Sequence, residues 1–193
     1  CTLSGGETAI LPELVHGFDI AGTSVGYVKQ DKIIDGTKIS EGDVLIGLKS
    51  SGPHSNGYTL IRKLFDGDKE LGKKLVEPTR IYVKEVMSLI KQVDVNGIAH
   101  ITGGGLDNIS RINGNFQYLI DNPLPVPSVF NWLQEKGNIE DKEMYRTFNM
   151  GMGMVIIVNK DDAEKSVSIL GEHAQIIGSV RSGKGVIHAE INS

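Results

Sequence analysis

Four short apolar runs, "DVLIGLKS", "GIAHI", "FQYLI" and "GMGMVIIV", each have the length of a buried strand, and segments of helical spacing stand between them. A chain that switches period in this way must stack helices on a sheet, which predicts an α/β layered domain with a mixed sheet and packed helices. "YTLIRKLF" reads as a helix entered from Ser55 or Asn56 as N-cap. A second helix is predicted over residues 79–93, where Tyr82, Val86, Leu89, Ile90 and Val93 recur on one face behind Pro78. "PSVFNWLQEKG" is read as a helix with Pro127 near its first position and Gly137 as C-cap, followed by helices over "EDKEMYRTF" and "DDAEKSVSILGEH". "LDNISRI" reads as another short helix, "DIAGTSVGYVKQ" as β-rich, and Asp35-Gly36 as a turn between β patterns. The tail "AQIIGSVRSGKGVIHAEI" reads as a hairpin.

Composition excludes more than it selects. A net charge of -4 and a pI near 5.7 give no pull towards nucleic acid or an anionic membrane, and no run approaches the roughly 20 apolar residues that span a bilayer. The sole cysteine, Cys1, rules out a disulfide framework and a cysteine zinc site, and fits a reducing, cytoplasmic setting. An opening on Cys rather than Met, inside a patterned segment, leads to the expectation of a fragment.

Glycine is plentiful, at 24 residues, and clustered where strands give way to helices. Such loops expose amides and a partial positive charge, a setting for phosphate or carboxylate. The candidates are Ser51, Gly52, Ser55, Asn56 and Gly57 in "SSGPHSNG"; Thr102, Gly103, Gly104 and Gly105 in "TGGG"; and Gly5, Gly6, Glu7 and Thr8 in "GGET". His54 and His100 belong to two of these loops and are the candidate proton carriers, since imidazole titrates near neutrality. Both would face one sheet edge if their strands were parallel neighbours. His16, His173 and His188 are read as ordinary polar residues. Arg146 and Asn149 mark a polar corner suited to a bidentate phosphate contact, with a surface salt bridge as the competing reading. Met150, Met152 and Met154 alternate and are read as one core-facing strand face. "GSVRSGKG" falls short of a P-loop, because Gly185 stands where a hydroxyl should hold magnesium and a strand follows.

Taken together, "SGGETA", "IIDGTKISEGDVLIGLKSSGPHSNGYTLIRK", "HITGGGLDNI", "VFNWLQEKGNI", "EMYRTFNMGMGM" and "IIGSV" resemble aminoimidazole ribonucleotide synthetase, the phosphoribosylformylglycinamidine cyclo-ligase family. The resemblance runs in order along essentially the whole chain. It departs at "GGETAILPE", where Ile10 and Glu13 replace the family's usual residues, and in length, the family enzyme being nearly twice as long. It implies that residues 1–27 are the tail of an N-terminal ATP-binding domain with its linker, and that 28–193 form the C-terminal α/β domain. It also implies ATP with Mg2+, held mostly by the N-terminal domain, a formylglycinamidine ribonucleotide substrate and a homodimer when full length. Under it, the glycine loops and Asn149 hold the ribose phosphate, Arg146 stabilises the transferring phosphoryl group, and His54 or His100 moves the proton. The alternatives are another ATP-using member of the superfamily, of formylglycinamidine synthetase, selenophosphate synthetase, thiamine-phosphate kinase or hydrogenase-maturation type, or a non-catalytic binding module.

Overall fold

In a computed structural model, which describes residues 1–11 and 13–189, the chain separates into two compact units, Cys1–Ile33 and Ile34–Ser193. The first unit is exposed throughout its described residues and carries no strand. Its regular structure is a single 3-10 turn, Gln30–Lys32, so the β-rich reading of residues 19–30 does not hold. A strand exists only with a neighbour to accept and donate its ladder bonds, and this stretch has none. Gly5, Gly6, Glu7 and Thr8 lie here, outside any helix or strand.

The second unit runs β1 (Val44–Lys49), α1 (Tyr58–Leu64), α2 (Lys69–Leu75), α3 (Val83–Leu89), β2 (Val95–His100), β3 (Phe116–Ile120), α4 (Ser128–Gly137), α5 (Asp141–Thr147), β4 (Met152–Val158), α6 (Ala163–Leu170), β5 (Ala174–Ser182) and β6 (Gly185–His188). The strands form one mixed sheet in the order β2-β4-β1-β5-β3-β6. Every neighbouring pair is antiparallel except β3 and β6. β6 therefore skips β5 and pairs in parallel on the far side of β3, so the tail is not a hairpin.

Period two sorts β1 across the sheet. Leu45 joins one buried cluster with Tyr118, Ile157 and Ile177, while Val44, Ile46 and Leu48 join the opposite one with Leu89, Ile156 and Leu170 from β4, α3 and α6. A third cluster binds α1, α4 and α5 through Ile61, Phe130, Leu133, Met144 and Phe148.

β4 breaks its own alternation. The β1 register slips between Leu48, opposite Met154, and Lys49, opposite Met152, which leaves Gly153 as an extra residue. That bulge turns Met152 into one core face and Met154 against the other, while Met150 joins the third cluster before the strand begins. The reading of three methionines on one face fails for this reason.

Helix ends also differ from expectation. α1 is entered from Gly57 in the left-handed region, with φ 77°, and no side chain caps it. α3 starts only at Val83, with Tyr82 as its N-cap at φ -88° and ψ 0°, and α2 precedes it with Asp68 Oδ1 accepting from the Leu71 amide at 2.9 Å. "LDNISRI" gives only the 3-10 turn Gly105–Asn108. α4 closes on Asn138, at φ 47°, rather than on Gly137.

Candidate functional site

β1 and β2 are not neighbours. Both are antiparallel to β4, which lies between them, so they run in the same direction and their C-terminal ends leave the sheet at one edge. Loop 51–57 and loop 102–105 consequently meet. A Cβ built on Gly103 would stand 3.1 Å from Asn56 Oδ1, and the His54 and His100 ring centroids are 6.0 Å apart.

Tyr82 joins them, its ring 6.3 Å from His54 and 6.1 Å from His100 in edge-on contacts, and its hydroxyl donates to the Lys49 carbonyl at 2.9 Å. Gly153, the bulge residue, lies beneath: a Cβ there would strike the Tyr82 hydroxyl and come within 2.8 Å of His54 Cε1. The bulge and the cluster are one construction, since only a residue without a side chain leaves room for both rings.

The two histidines differ sharply in setting. His54 is 4% exposed and holds φ at 58°, a strained value for a residue with a Cβ. Its Nε2 accepts from the Ser51 amide at 3.2 Å, which places the ring proton on Nδ1, a buried atom with no hydrogen-bond partner among the described residues. Burial, with a smaller contribution from His100, pushes the His54 pKa down to about 4. His100 is exposed at the end of β2. The expectation that His54 titrates near neutrality therefore fails, and of the two imidazoles it is the buried one. Burial likewise lifts the Tyr82 hydroxyl to about 12, so it stays protonated as a donor.

Both loops are fastened from within. Asn149 Nδ2 donates to the Gly52 carbonyl at 2.8 Å while its Oδ1 accepts from the Gly151 amide at 3.0 Å, so Asn149 clamps the loop. Ser51 Oγ donates to the Pro78 carbonyl at 2.7 Å, and Ser55 Oγ lies 3.4 Å from Thr79 Oγ1. In the second loop, Asn108 Oδ1 accepts from the Thr102 amide and hydroxyl, and Asn108 Nδ2 donates to the Gly103 carbonyl. The amides of Ser51, Asn56, Thr102 and Gly105 thus all donate within the chain. Two of the glycines serve packing: a Cβ on Gly57 would enter the Phe148 ring, and one on Gly105 would meet the Tyr145 carbonyl. Asn56 is not the cap of α1.

Beside His100 opens a groove of about 370 Å³ lined by Asp35, Thr102, Asn108 and Arg111 with Ile98 and Ile112. Asp35 Oδ1 accepts from the Thr37 hydroxyl and amide, which hold the carboxyl below its ordinary range. Arg146 is not part of this groove. It sits exposed in the last turn of α5, 3.9 Å from Glu143, and lines a separate cavity with Lys142, Tyr145 and His188. Sequence reasoning missed Tyr82, which reads as a helix-face residue, and Arg111, a single base inside "LDNISRI".

Residues 40–189 match the family described as "AIR synthase related protein, C-terminal domain". Among solved structures, E. coli HypE, a hydrogenase maturation protein, superposes with a TM-score of 0.61 at 22% identity, covering 80% of this chain and 48% of HypE. HypE in complex with ATP gives 0.61 at 20% identity over 85% of this chain and 52% of that one. Thiamine monophosphate kinase from Aquifex aeolicus gives 0.56 at 17%, over 81% and 52%. At these identities the likeness establishes the fold, and the chain spans about half the length of each of these proteins.

Proposed function

The chain belongs to the AIR synthase-related C-terminal domain family, and from that premise we propose that it is the C-terminal portion of an ATP-dependent cyclo-ligase that converts formylglycinamidine ribonucleotide to aminoimidazole ribonucleotide. One observation carries the reading: the motifs "SGPHSNGYTLIRK" and "HITGGG", distant in sequence, come together at one sheet edge with their imidazoles 6.0 Å apart beside an open groove.

In this reading ATP supplies the phosphoryl group that activates the formyl-derived amide oxygen. The amidine nitrogen then attacks that carbon and loses a proton, and phosphate departs as the ring closes. His100, lining the groove, receives the proton. Two imidazolium charges at this separation repel each other, so the pair takes up one proton more readily than two. Burial, with a smaller contribution from His100, keeps His54 neutral. The Tyr82 ring supports both imidazoles from below, and Asn149 keeps the first loop closed on its strand.

Among the described residues no group of three or more His, Cys, Asp and Glu gathers to hold a metal, and no step is assigned to Mg2+ on these side chains. Nor, among them, is any helix long and apolar enough to cross a membrane. The proposal extends to a cytoplasmic homodimer for the whole protein.

The test is ADP release by the full-length protein, dependent on formylglycinamidine ribonucleotide and matched by aminoimidazole formation. ADP release without ring closure refutes the reading. The superposition on a thiamine monophosphate kinase favours a second one, an ATP-using relative with another acceptor. Phosphorylation of thiamine monophosphate, with no turnover of the ribonucleotide, decides for that alternative.

A further inference from the structure

Arg111 is an exposed cation in the groove beside His100, and the site as described above leaves it without a task. Among the described residues it forms no ion pair. Asp35 shares the groove, and its Oδ1 accepts from the Thr37 hydroxyl and amide.

Arg111 Nη2 lies 3.0 Å, and Asn108 Nδ2 3.1 Å, from the point where a Cβ on Gly104 would sit, and Gly104 itself holds φ at 98°. The backbone conformation favours glycine there, and the guanidinium lies across the loop. Asn108, bonded to Thr102 and Gly103, fixes the loop beneath the guanidinium. One groove of about 370 Å³ therefore presents a planar cationic fork and an exposed imidazole, the pairing that suits phosphate oxygens.

We propose that this groove binds the phosphomonoester of a sugar phosphate, with Arg111 as its principal ligand and His100 beside it. The choice of a sugar phosphate rests on the cyclo-ligase reading; the site itself rests on the geometry of Arg111, Gly104 and His100.

The experiment is calorimetric titration of the 193-residue chain at pH 7 with ribose 5-phosphate, and with ribose as the uncharged control. Binding of the phosphate and not of ribose is expected. Arg111→Ala should weaken it roughly 10- to 100-fold, and Arg111→Lys by less, since a point charge replaces the fork. Arg181→Ala, which removes an exposed arginine of β5, should leave the affinity unchanged. Melting curves within a few degrees of the parent, as expected for an exposed side chain, show that each variant is folded. The proposal is overturned if the unaltered chain binds no ribose 5-phosphate, if Arg111→Ala binds it equally well, or if Arg181→Ala loses as much. In the full-length protein, an absent cyclo-ligase activity with Arg111-dependent phosphate binding sinks only the proposed function. Ring closure with an unchanged KM in Arg111→Ala sinks only this site.

Discussion

Loop 51–57 and loop 102–105 look alike in sequence: each follows a strand, carries glycines and has a histidine within it or just before it. In the fold they do different work. The first is turned inward, with His54 buried, Gly52 clamped by Asn149 and Gly57 pressed on Phe148. The second keeps His100 exposed and carries Arg111 across its surface. The contrast teaches that a glycine-rich loop reports close approach of the backbone to something, and that this something is often the rest of the protein.

The sharpest way to break the comparison is through the outer histidine. His100→Ala in the full-length protein is expected to lower turnover by about 100- to 10,000-fold with little change in melting temperature, because the side chain is exposed. Near-normal turnover would remove His100 from the chemistry.

His54→Ala should show the reverse balance. The substitution vacates a buried site, leaves the Ser51 amide without its acceptor and keeps a Cβ at φ 58°. A loss of about 2–4 kcal/mol in denaturant unfolding is expected. A loss below about 0.5 kcal/mol would mean that the inner loop is no more structural than the outer one.

The pH dependence sharpens the same point. The unfolded chain binds a proton on His54 near its ordinary 6.5, whereas the folded chain does so only near 4. The unfolded state therefore gains protons first as pH falls. Stability from this group is intact above about 6.5, declines through that window and levels off below about 4, a total of about 1–3 kcal/mol. His54→Gln, which keeps an acceptor for Ser51 without a titrating ring, should flatten this part of the profile. An unchanged slope in that variant would place the titration elsewhere.

The smallest effect belongs to Asn56→Ala. Because Gly57 rather than Asn56 stands at the N-cap of α1, the usual loss of about 1 kcal/mol for a cap should shrink to a few tenths. A full cap-sized loss in thermal melts would reopen the helix entry as drawn.

Much of the candidate site was legible because its motifs are local. His54, His100 and the two loops could be named from strand-length apolar runs ending in glycine, and the loops do lie side by side. Arg146 was misplaced because position before a strand says nothing of which cavity a helix faces. Tyr82 was hidden because its spacing fits a helix that in fact starts one residue later. A signal for α2 was present, Asp68 ahead of "KELGKKL", a cap followed by a helix-forming run.

By itself the sequence determined the strand cores of β1, β3 and β4, the helices α4, α5 and α6, and the α/β class, since each depends on side-chain period within one segment. Tertiary structure decided the strand order, the β6 crossover, the Gly153 bulge and which imidazole is buried. Those outcomes depend on what distant segments bring to a position. His54 is neutral because its loop folds in on Tyr82 and β4, and His100 is open because none of the described residues covers the end of β2 on the groove side. Burial is a property of the assembled neighbourhood, and no window of adjacent residues contains it.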